Sequence, residues 1–124
     1  MADYLHDDVL DNGLSVLANT ETLYICSTQP TNFTEASATY KLGTKTSPTV
    51  GAPGDATPNG RKVTVSAIAD GVVDANGTAA YYALCDNSAS KLLATGDLSN
   101  PQTVTTPNTF TLTAFDIRIP DAVA

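Results

Sequence analysis

The 124-residue chain reads as a mainly β domain, an antiparallel β-sandwich or jelly-roll-like fold with a short N-terminal helix. Three observations predict it. From Arg61 onward, short runs of alternating apolar and polar residues follow one another between turn-rich intervals, the period-two pattern of strands. Threonine, serine, asparagine and alanine are abundant and tryptophan is absent, which favours short strands over long helices. Several runs are apolar on both faces, an arrangement suited to a sheet covered on both sides. The length fits a single domain, 1–124, with one core.

Residues 1–20 form the helical segment. In YLHDDVLDNGLSVLA, Leu5, Val9, Leu10, Leu14 and Leu17 share one broad face at helical spacing. Asp3 is a candidate N-cap, and Asp7 and Asp8 stand where the helix dipole favours negative charge. Asn12-Gly13 is the weak point, because glycine costs about 1 kcal/mol in a helix interior. The segment either holds as one helix or divides there into two short turns.

TLYICS, 22–27, is a short buried strand. Asn32 and Glu35 then stand three apart in a capping-box arrangement, predicting one or two helical turns over 33–39. TYKLGTKT supplies another short strand. SPTVGAPGDATPNG, 47–60, holds three prolines and three glycines without periodicity; a stretch of that length is either disordered or used for contact. Its poverty in apolar side chains predicts that a neighbouring subunit orders it, with Pro48, Val50, Pro53 and Pro58 as candidate interface residues.

Residues 61–120 read as an antiparallel β meander. RKVTVSAIA alternates through Val63, Val65 and Ala67, then shifts phase at Ile68. DGVVDANG is turn-rich. TAAYYALC has no polar side, DNSAS makes a loop, and KLLATGDL returns as the hairpin partner. QTVTT and the final run NTFTLTAFDIRIP complete the set. That final run also changes phase: Phe110, Leu112 and Ala114 are apolar on one side, whereas Phe115, Ile117 and Ile119 are apolar on the other. A bulge near Ala114 would re-aim the residues that follow it into the chain's own core. Otherwise both faces are buried, and Phe115, Ile117 and Ile119, with few residues after them to provide cover, are candidate interface residues.

The composition argues against several classes of function. A formal net charge of −7 with six basic residues suits neither nucleic-acid backbones nor anionic membranes. No run approaches the roughly 20 apolar residues of a membrane span. His6 is the only histidine and sits beside Asp7 and Asp8, so neither a transition-metal cluster nor a Ser–His–Asp arrangement is suggested. The glycine-rich stretch lacks the phosphate-loop lysine, and the oxygen ligands of Asp70–Gly77 have the wrong spacing for a calcium hand. No catalytic, cofactor-binding or metal-ligating residue is assigned, and the chain is read as non-enzymatic. MADYLHDDVLDNG lacks a cationic-then-apolar leader, so folding in a reducing cytoplasm is expected. There Cys26 and Cys85, without CxxC spacing, act as small buried hydrophobes; a disulfide between strands is the alternative.

The segments NGRKVTVSAIADG, GTAAYYALCDNSASKLLATGDLS and NTFTLTAFDIRIPDA resemble those of small structural proteins of tailed bacteriophages and prophages. YLHDDVLDNGL leading into LYICSTQPTNFTEA is similar to the start of the same group, so the resemblance spans most of the chain. Its motifs are turns and strand patterns and carry over no catalytic residue. It implies a virion component made in the host bacterial cytoplasm, a capsid decoration or cement protein. The implied partners are other copies of itself, commonly as trimers, and the major capsid or other virion proteins. Tail, neck and fibre components use similar β modules, and a receptor- or carbohydrate-binding β module is the competing class.

Overall fold

The computed structural model describes residues 7–57 and 60–119, with side chains from Asp11 onward. Helix α1 (Asp7–Ser15) tightens into a 3-10 turn at Val16–Asn19. Among the described residues nine strands follow: β1 (Thr22–Cys26), β2 (Lys41–Thr46), β3 (Gly54–Asp55), β4 (Arg61–Val65), β5 (Ile68–Val73), β6 (Gly77–Asp86), β7 (Lys91–Val104), β8 (Thr109–Leu112) and β9 (Phe115–Ile119). They make two antiparallel sheets. The larger, in the order β7-β6-β1-β2-β5-β8, curls into a half-barrel, and the smaller is β3-β4-β9. The domain is mainly β and sandwich-like with one short N-terminal helix, as the sequence predicts. The helix does not divide at Asn12-Gly13; it runs through Gly13, whose bare Cα faces the Ile119 side chain.

Strand β1 is central, and all five of its residues are buried. Leu23 and Ile25 enter the main core with Leu14, Leu17, Val63, Val65, Leu84 and Phe110. Tyr24 and Cys26 point the other way, into a smaller cluster with Ala36, Ala83 and Cys85. The connection from β1 to β2 covers this second face. Its π-helical turn, Glu35–Thr39, buries Ala36 and falls inside the predicted helical span. The Asn32 Oδ1 accepts from the Glu35 backbone N–H at 2.8 Å. The Glu35 carboxylate accepts from the Thr31 N–H and hydroxyl, each at 2.7 Å, one residue earlier than a standard capping box requires. Those bonds hold the Glu35 carboxyl below the usual carboxylate range.

Both phase shifts in the sequence are places where the chain changes sheets. Strand β4 lies in the small sheet and β5 in the large one, with the break at Ser66-Ala67; β8 lies in the large sheet and β9 in the small one, with the break at Thr113-Ala114. The two corners are adjacent, since Val65 pairs with Phe115 and Ile68 with Leu112. Inner faces of stacked sheets point toward each other, so a strand crossing between them must reverse its apolar side. The expected meander is therefore corrected. Among the described strands from Arg61 onward, only β6 and β7 form a hairpin of neighbours, β5 pairs with β8, and β4 pairs with β9. DGVVDANG is also not wholly a turn, because Asp70–Val73 belong to β5.

Arg61 fastens the helix to the small sheet. Its guanidinium reaches the Asp11 carboxylate on α1 at 2.8 Å and the Asp55 carboxylate on β3 at 2.5 Å. The stretch 47–60 is expected to be ordered by a neighbour, yet its described part, 47–57, lies along β4. Ser66 N–H donates to the Thr49 carbonyl, Gly51 N–H donates to the Thr64 carbonyl, and Val50 bridges Val65. Pro48 and Ala56 are buried. Backbone hydrogen bonds thus supply the order that the scarce apolar side chains could not. Limited proteolysis of the free protein is expected to spare 47–57, with fragments read by mass spectrometry; rapid cutting there would show that these bonds open readily. Pro58, His6, Asp3, Leu5 and Pro120 lie outside the described residues, as do the side chains of Val9 and Leu10.

Candidate interaction site

Strands β7 and β8 are the two edges of the large sheet, and β9 is an edge of the small one. These edges flank one open seam. Between the Ala79–Gln102 and Tyr81–Asp97 pairs, β7 has four residues, Leu98–Pro101, opposite the single Ala80. The excess residues bow out as a wide bulge, re-aiming the strand. A cavity of about 320 Å³ lies between this bulge and the β8–β9 corner, lined in part by Tyr82, Asp97, Leu98, Gln102, Leu112 and Phe115.

The floor is aromatic. Tyr82 and Phe115 meet with ring centroids 4.4 Å apart, tilted by 37°. Tyr82 is paired directly with Gly96, and its ring fills the space a Cβ there would occupy, within 2.9 Å. The glycine is thus required by the ring's close approach. Burial and the neighbouring Asp97 charge push the Tyr82 phenol above its ordinary value. Across the seam the Gln102 side-chain amide donates to the Thr111 carbonyl at 2.7 Å, a side-chain bridge between β7 and β8. Aromatic faces with amide, hydroxyl and carboxylate groups around them can hold a small polar ring by stacking and hydrogen bonding.

The sequence-predicted residues divide between opposite edges of the small sheet. Phe115, Ile117 and Ile119 are half-buried on β9 and pack against the main core. Pro48, Val50 and Pro53 lie on the β3 side of β4, with Pro48 buried and the other two half-buried. Phe115 alone among them lines the cavity. Sequence reasoning missed Tyr82, Asp97, Leu98 and Gln102. The available signals were a mid-strand Gly96 and the turn-forming Ser99-Asn100-Pro101 within a single run, both of which mark bulges.

A second depression of about 310 Å³ lies over β2 and β5. Its charges are paired, Lys45 with Asp70 at 3.0 Å within it and Asp74 with the adjoining Lys41 at 3.7 Å. Among the described residues no group of three or more His, Cys, Asp or Glu side chains comes together, and no helix is long and apolar enough to cross a membrane. Comparison with family models, with curated proteins and with solved structures found no match.

Proposed function

We propose that this chain is a non-enzymatic structural protein of a bacteriophage virion, a capsid decoration or cement protein on the particle surface. Its partners are other copies of itself and the major capsid or another virion protein. The observation that carries the reading is the open side of the fold, where β7, β8 and β9 end their sheets beside the half-buried row of Phe115, Ile117 and Ile119. Edge strands offer unpaired backbone groups to another chain, and proteins that stay monomeric commonly block them. The resemblance of three strand segments to phage structural proteins supplies the setting, and the net charge of −7 keeps such a protein off packaged nucleic acid. A tail, neck or fibre position would use the same surfaces. An electron-microscopy map of the assembled particle tests the reading: density for this fold is expected on the outer shell. Density in the tail would relocate it, and its absence from the particle would overturn it.

A second reading, a receptor- or carbohydrate-binding module, is favoured by the cavity over Tyr82 and Phe115 with Asp97 and Gln102 at its rim. Titration with a panel of oligosaccharides, followed by amide chemical shifts of residues 97–102 and 111–115, tests it. Shifts confined to those residues would support sugar binding; an unmoved spectrum would leave the cavity as part of the assembly face.

A further inference from the structure

We infer that β9 pairs antiparallel with β9 of a second copy about a two-fold axis through Ile117, an inference that rests on the assembly reading above and specifies its self-contact. Among the described residues, β9 is hydrogen-bonded to β4 along one edge, and no backbone bond reaches its other edge. The sequence of the strand, Phe-Asp-Ile-Arg-Ile, is complementary to itself in that register. Centring the pair on Ile117 sets Asp116 opposite Arg118 of the second copy, and Arg118 opposite its Asp116. Phe115 meets Ile119 of the second copy, and Ile117 meets its own equivalent. The charged pairs then share the outer face and the apolar pairs share the inner one, because side chains alternate along a strand. Shifting the register by one residue would set charged residues opposite apolar ones.

A charge imbalance within one copy points the same way. Arg118 lies directly opposite Lys62 on β4, and like charges facing each other across a ladder are unfavourable. Lys62 resolves its own side by reaching the Asp116 carboxylate at 3.1 Å. The Thr64 hydroxyl donates to the same carboxylate at 2.6 Å, and these bonds hold Asp116 below its ordinary value. Arg118 is exposed and has no hydrogen-bond or ion-pair partner among the described residues. Pairing with a second β9 brings it a carboxylate on the open side. The same pairing extends the half-buried Phe115, Ile117 and Ile119 into a continuous apolar stripe across both copies, and an isologous contact closes on itself without propagating into a fibre.

Reversing each charge separately tests the register. Sedimentation velocity of the wild-type chain is expected to show a dimer. Asp116→Arg alone and Arg118→Asp alone each place like charges opposite one another twice per dimer, weakening self-association about tenfold or more. An equal mixture of the two variants restores opposite charges at both positions and should form heterodimers. Separate Asp116→Cys and Arg118→Cys chains give a positional check should either reversal fail to fold. They should cross-link on oxidation when mixed, and Asp116→Cys should not cross-link to itself, because directly opposed strand residues lie within disulfide reach. The native Cys26 and Cys85 are buried and do not interfere. A monomeric wild-type chain would overturn the pairing, as would an oligomer indifferent to both reversals or a mixture that neither associates nor cross-links. If the pairing fails while the chain still occupies the particle, only the β9 contact is lost. Absence from the particle removes the assembly reading instead.

Discussion

Phe110→Ala is expected to lower unfolding stability by about 3–5 kcal/mol, the range for removing a buried aromatic ring and leaving part of the space empty. Phe110 is the largest fully buried side chain described. Its ring lies across two glycines: a Cβ on Gly71 would stand 2.2 Å from the ring and one on Gly43 would stand 2.9 Å away. Gly71 is the direct partner of Phe110 across β5 and β8. The reverse substitution, Gly71→Ala, therefore overpacks the same spot and should cost about 1–3 kcal/mol or more. Combining the two should cost less than their sum, because the cavity left by the ring accepts the new methyl, with a coupling of at least about 1 kcal/mol. Urea titrations of the four proteins give these values directly. Additive losses would show that the ring does not depend on the glycine seat.

Alkaline pH should destabilise the chain through its two thiols. Cys26 and Cys85 are free, fully buried and face the same cluster of side chains. The ladder sets Cys26 opposite Tyr81 and Cys85 opposite Thr22, so they are not a facing pair. Burial pushes the Cys26 thiol up to about 12, with Cys85 adding to the effect, and burial pushes Cys85 up to about 11. In the unfolded chain both thiols ionise near 9. A raised folded value favours the protonated native form, so this stability is fully present below the unfolded value. It is lost as pH rises from there through the folded values. Between about pH 8.5 and about pH 10 the two thiols together should remove about 2 kcal/mol. The Cys26→Ala/Cys85→Ala chain should lose correspondingly less over that interval. Parallel alkaline limbs for the two proteins would mean that the thiols ionise as readily folded as unfolded.

Much of the fold was legible because its signals are local. The alternation of Val63 and Val65, the two-faced TAAYYALC and the Asn32–Glu35 arrangement all act over a few residues, and each lies in the expected kind of element. Sheet membership was not legible. The phase shifts at Ile68 and Phe115 were visible in sequence, but a bulge and a crossing between sheets produce the same shift. Only the pairing of β4 with β9 and β5 with β8 separates them. The order of 47–57 was missed for a related reason, since hydrogen bonds from Gly51 and to Thr49 depend on backbone position rather than side-chain type. The cavity depends on residues from four strands, and the extra length of β7 opposite Ala80 appears only once the partner is known.

The paired corners at Ser66-Ala67 and Thr113-Ala114 also bear on how the chain reaches this structure. Each sheet takes one half of both crossing strands, so neither has its full set of strands until distant parts of the chain have met. Thr64 and Asp116, which touch across the small sheet, are 52 residues apart in sequence. Closing so long a loop costs entropy before any contact repays it, which places the chain among slow folders rich in non-local pairing. Because β4 leads directly into β5 and β8 into β9, the loss of one sheet frees one end of two strands in the other. The sheets should therefore melt together as one cooperative unit, leaving little room for a half-unfolded intermediate with one layer intact.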